Sequence, residues 1–166
     1  IKDGIIYIFD EIAIWSSNTD ELCQEIHHRY KNKKIFAYPD PASKQRRTSA
    51  GGRTDLSILQ NNGFVVKSLN KHMAVRDRIN SVNSKLCNSI GIRGIIISPK
   101  CKNLLNTLSK QVYKEGTSLP DKTGGLDHHG DALGYFVSYL YPVTTNYEAP
   151  TDSRFTVKTR INDARL

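Results

Sequence analysis

Two short stretches concentrate the side chains that could do chemistry. "GLDHHGDALGYFVSYLYP" (125–142) sets Asp127, His128, His129 and Asp131 at the start of an apolar helical run, and "FAYPDPASK" (36–44) sets Asp40 just past a strand-like segment. Hard divalent ions take carboxylate oxygens, and Mg²⁺ is commonly held by one or two of them together with water and substrate phosphate. Two such ions roughly 4 Å apart activate water and stabilise the leaving oxygen of a phosphodiester. His128 precedes Asp131 by three positions, so both can turn to one side of a helix. Each acid also has a structural reading. A Pro-Asp-Pro turn uses Asp routinely, Asp131 suits the positive end of a helix dipole, and Asp127 is placed to be an N-cap.

Positioning these residues is the task of the elements between them. "GIIYIFDEIAIW" (4–15) reads as one long strand from its β-branched and aromatic content. A helix follows in "SNTDELCQEIHHRYK", with Asn18 and Glu21 as a capping box and Leu22, Ile26 and Tyr30 at helical spacing. "KIFAYPDPA" is a short strand halted by Pro39 and Pro41. The loop "SKQRRTSAGGR" leads to Asp55, placed to cap the helix "LSILQNNG", and "FVVKSL" is a further strand.

"AVRDRINSVNSKLCN" predicts an amphipathic helix with Val75, Ile79, Val82 and Leu86 on one face and Arg76 and Arg78 on the other. "RGIIISP" is a strand, and "NLLNTLSKQVYK" a helix with Leu104, Leu105, Leu108 and Val112 inward. The order is β-α-β-α-β-α-β-α-α, an α/β domain over residues 1–142 with a polar tail over 143–166. The chain lacks an initiator Met and opens in strand-like sequence, which reads as a piece of something larger.

Composition narrows the partners. The net charge is +8, and residues 41–114 hold 14 Lys and Arg against only Asp55 and Asp77, while the flanks are net acidic. A basic middle between carboxylate-bearing flanks points to a polyanion, with a solvated basic face as the alternative. The candidate backbone contacts are Lys44, Arg46, Arg47 and Arg53, in the loop after Asp40, with Arg76 and Arg78 extending the track. Three scattered cysteines without a CxxC pair oppose a disulfide framework or zinc finger and fit a reducing cytosol. No Walker or dinucleotide-binding glycine motif occurs, and no apolar run reaches membrane-spanning length.

The strings "YPDPASKQRRTSAGGRTDLSILQNNGF", "VRDRINSVN", "PKCKNLL", "YKEGT" and "HHGDALGYFVSYLYP", in that order, resemble the C-terminal nuclease domain of the large terminase subunit of tailed bacteriophages. The resemblance runs from about Gly4 to Pro142. It implies a ribonuclease-H-like mixed sheet with flanking helices, and a Mg²⁺- or Mn²⁺-dependent, two-metal endonuclease that cuts concatemeric double-stranded viral DNA during packaging. The family's catalytic acids lie on a first strand, after a central strand and at the start of the last helix. Asp40 matches the second and Asp131 the third, and His128 matches a histidine that recurs three residues before the last acid.

The first acid's strand would precede residue 4 and is missing here, leaving Asp10, Glu11 and Asp127 as secondary metal candidates. The resemblance also implies a packaging ATPase domain, absent here, portal and small-terminase-subunit partners, and a place in the host cytoplasm. Two alternatives stay open at this point: another ribonuclease-H-like nuclease of the resolvase or transposase type, and a DNA-binding fragment without catalysis.

Overall fold

A computed structural model describes residues 1–45, 52–69 and 72–143. Its elements run β1 (Ile6–Ile8), α1 (Thr19–Arg29), β2 (Phe36–Ala37), a 3₁₀ turn (Pro41–Lys44), α2 (Asp55–Asn61), β3 (Val65–Val66), α3 (Val75–Leu86), β4 (Ile95–Ile97), α4 (Lys102–Lys110) and α5 (Asp127–Leu140). The described residues are thus mixed α/β, with five α-helices in the expected order. Among the described residues the strands form two small parallel sheets, β1 with β4 and β2 with β3. No described helix is long and apolar enough to cross a membrane.

Local chemistry explains most boundaries. Asn18 caps α1, its side chain accepting from the Glu21 N–H at 2.9 Å while the Glu21 carboxylate accepts from Asn18 N at 3.1 Å. α2 corrects the expected cap: Thr54 and Ser57 form the capping box, and Asp55 is the first helical residue. The Asp55 carboxylate instead accepts from the Thr19 hydroxyl at 2.7 Å, tying α1 to α2.

The long strand expected over 4–15 is three residues. Its ladder with β4 stops after Ile8 accepts from Ser98 N, and the next acids are drawn to helices. Asp10 accepts from Tyr30 and Arg29, and Glu11 from the first turn of α4. β-rich composition cannot foresee that diversion. α4 ends at Lys110, because Gln111 turns to extended backbone and its side-chain amide donates to the Val112 and Asp121 carbonyls. Val112 is therefore 62% exposed and Leu105 also lies outward, while Leu104 and Thr107 are the buried residues of α4.

Two apolar clusters result. Ile6, Ile95, Val82, Cys101, Leu104, Leu133 and Val137 pack β1 and β4 against α3, α4 and α5. Cys23, Ile58, Leu59 and Phe64 pack α1 and α2 beside β2 and β3. Ile6 is 1% exposed, so truncating it to Ala should cost about 2–5 kcal/mol in lost burial and residual cavity. Tyr38, just after β2, bridges the clusters by edge contacts with the Phe136 and Tyr139 rings of α5. That bridge brings the end of β2 to the start of α5.

Candidate active site

α5 can lie close to its neighbours because of two glycines one turn apart. A Cβ on Gly130 would come within 3.0 Å of Thr107 Cγ2 in α4, and one on Gly134 within 2.9 Å of Arg78 Cγ in α3. Arg78 fills the space so left. It is only 8% exposed, and its guanidinium donates to Asp131 Oδ1 at 2.5 Å. The same guanidinium lies 4.5 Å from the centre of the Tyr135 ring, within cation–π range. This corrects the expectation that Arg78 faces outward along a DNA track; the amphipathic pattern cannot foresee that its partner is a carboxylate on a helix packed against it.

Tyr135 continues the network. Its hydroxyl donates to Asp40 Oδ2 at 2.6 Å, while Asp40 Oδ1 accepts from the Ala42 N–H at 2.8 Å and faces His72 Nδ1 at 3.7 Å. Asp40 is thus both the N-cap of the 3₁₀ turn and a partner of α5. Asp40, His128 and Asp131 line one cleft of about 320 Å³ with Tyr38, Pro39, Ala132 and Tyr135. Residues 91 positions apart in the chain meet there, as the candidate assignment requires.

The charge balance of the cleft follows from these contacts. Burial opposes ionisation of Asp40, but the Tyr135 hydroxyl, the Ala42 N–H and the nearby His72 and Arg78 charges outweigh it and hold its carboxyl below the ordinary value. Burial and the bond to Asp40 push the Tyr135 phenol up to about 12, so it remains a donor at neutral pH.

The secondary candidates are differently placed. Asp127 is 7% exposed and pairs with Lys122 at 2.9 Å; the N-cap of α5 is Leu126, without a side-chain cap bond. Lys122 also comes within 3.8 Å of Asp131 Oδ2. Asp127 lines a neighbouring, mainly apolar cavity of about 250 Å³ between α3, α4 and α5, whose wall also includes Asp131. Asp10 and Glu11 line neither space. Of the basic candidates, Arg76 is exposed beside Asp77, Arg53 bonds Asp20 at 3.1 Å and Lys44 donates to the Leu69 carbonyl at 3.2 Å. Arg46 and Arg47 lie outside the described residues.

Among the described residues, no group of three or more His, Cys, Asp and Glu closes on a point that could hold a metal ion by itself. The donor set nonetheless fits Mg²⁺ or Mn²⁺, which need only one or two carboxylates when water and phosphate complete the shell. Each carboxylate offers about four lone-pair positions, and its bonds to Ala42 and Tyr135 or to Arg78 and Lys122 occupy only some of them. Sequence reasoning missed Tyr135, although it stands four residues after Asp131 and therefore on its face of α5. No protein-family model, curated protein or solved structure matches the chain.

Proposed function

We propose that the chain is a metal-dependent DNA endonuclease domain of the phage terminase large-subunit type, with a ribonuclease-H-like fold. The observation that carries this reading is the cleft in which Asp40, at a strand end, meets His128 and Asp131, at a helix start. Asp40 and Asp131 would hold Mg²⁺ or Mn²⁺, with His128 as a third donor at the rim. The ion would polarise a phosphodiester and lower the pKa of its bound water. Tyr135 fixes the Asp40 carboxylate from the protein side, and Arg78 does the same for Asp131. Duplex DNA is the substrate of this reading, viral packaging in the host cytoplasm its setting, and the ATPase domain, portal and small terminase subunit its partners.

Nicking of supercoiled plasmid in Mn²⁺, Mg²⁺ and EDTA tests the proposal. Cutting should require the metal and fall at least about a hundredfold in Asp40→Asn, because members of a concerted site do not compensate for one another. A second reading, a duplex-binding module without catalysis, draws on the Arg78–Asp131 ion pair, which already supplies one carboxylate with a cation. That module would bind duplex in EDTA and cut in no metal.

A further inference from the structure

A fixed cation stands directly behind the candidate metal cleft: Arg78 lines the neighbouring cavity and bonds Asp131, the residue the two spaces share. Arg78 is buried, its stem is held in the gap left by Gly134, and its guanidinium is bonded to Asp131 and stacked on Tyr135. Lys122 approaches the other Asp131 oxygen at 3.8 Å from an exposed position. Solvent screening weakens Lys122, whereas a buried guanidinium keeps most of its field. Any divalent ion entering between Asp40 and Asp131 must share Asp131 with that fixed positive charge.

We propose that Arg78 is a positioning residue that holds Asp131 in place and, through its charge, lowers the affinity of the cleft for divalent cations. The proposal rests on the reading of the cleft as a metal site. Two effects act together: the guanidinium occupies Asp131 Oδ1, and its charge repels an incoming dication. Replacing it by a neutral side chain of similar length removes both. Replacing it by lysine keeps the charge and loses the planar fork, so it leaves most of the repulsion.

Mn²⁺ binding, read by electron paramagnetic resonance of the free ion, tests this without reference to activity. Arg78→Met should bind Mn²⁺ at least about tenfold more tightly than the wild type, since one unit charge close to a dication has been removed. Arg78→Lys should stay within about threefold of the wild type, because most of the charge remains. Circular dichroism checks the fold of both variants. In case Arg78→Met does not fold, the wild type decides: on titration with Mg²⁺ the Arg78 side-chain nitrogen resonances should move with the midpoint of metal binding.

Unmoved resonances, or equal Mn²⁺ affinity in folded Arg78→Met and wild type, would overturn the role of Arg78. Asp40→Asn separates the two claims. If that variant loses Mn²⁺ while Arg78→Met gains nothing, the cleft is a metal site and Arg78 does not tune it. If Asp40→Asn binds Mn²⁺ as the wild type does, the metal reading of the cleft fails, and the role of Arg78 with it.

Discussion

Two pairs of carboxylates sit at comparable places in this fold and are used in opposite ways. Asp10 and Glu11 follow β1, while Asp40 follows β2 and meets Asp131 of α5. Glu11 accepts from the Asn103 N–H, the Asn103 side-chain amide and the Leu104 N–H, satisfying the otherwise orphaned donors at the start of α4. Asp10 is bonded by Tyr30 and Arg29 of the α1 end. Their oxygens are committed to holding helices in position. Asp40 and Asp131 also have partners, Tyr135, Ala42 and His72 for the first and Arg78 and Lys122 for the second, but both border a cleft that Asp10 and Glu11 do not line. The difference lies in whether the carboxylate also borders open space, and residue type alone does not reveal it.

Breaking each pair should therefore have a different signature. Among the four acids, the largest loss of stability is expected for Asp131→Ala, which strands the buried Arg78 guanidinium. Removing one partner of a buried pair costs about 3–5 kcal/mol, and the partial exposure of Asp131 puts this case toward the lower end. Urea denaturation reads it directly, and Asp131→Ala combined with Arg78→Met should recover much of the loss. Glu11→Ala comes next, at about 1–2 kcal/mol for a lost helix cap, visible in the same assay with no change in Mn²⁺ affinity.

Gly134→Ala sharpens the packing half of the comparison. Helix propensity alone would have it gain about 1 kcal/mol, but its Cβ would meet the Arg78 stem at 2.9–3.2 Å. The net outcome should be a loss of about 1 kcal/mol, since overpacking typically costs about 1–3 kcal/mol. A stabilised variant would show that Arg78 is not fixed against α5.

Acid should weaken the contacts of Asp10, Glu11 and Asp40 alike. The Tyr30 and Arg29 bonds hold the Asp10 carboxyl low, the α4 amides outweigh burial at Glu11, and Tyr135 with its neighbours does so at Asp40. A depressed folded-state pKa contributes stability that is present above the unfolded-chain value and lost as pH falls through the folded one. Stability should accordingly hold near neutral pH and decline below about pH 4. Glu11→Gln or Asp40→Asn should each flatten that decline in urea midpoints measured from pH 7 to pH 3.

The helices were legible in the sequence because their apolar spacing and the Asn18 box are local signals. Strand lengths were not: "GIIYIFDEIAIW" has β composition throughout, yet pairing ends at Ile8, and only the distant start of α4 explains why Glu11 leaves the ladder. Asp40, His128 and Asp131 were marked by residue type and position, and the Tyr38 contacts with α5 supply their meeting point. Tyr135 was within reach through its i+4 relation to Asp131. Arg78 was not, since a charged residue on an amphipathic helix reads as outward until the gap beside Gly134 is seen.

The central contrast, cleft acids against structural acids, is tested most directly by thermal melting of the wild type, Glu11→Gln and Asp40→Asn with and without Mn²⁺. A ligand that binds only the folded chain stabilises it by about 2.7 kcal/mol at a concentration one hundred times its Kd. Mn²⁺ should raise the Tm of the wild type and of Glu11→Gln by the same amount and leave Asp40→Asn unchanged. A rise retained in Asp40→Asn, or lost in Glu11→Gln, would contradict the assignment of the two pairs.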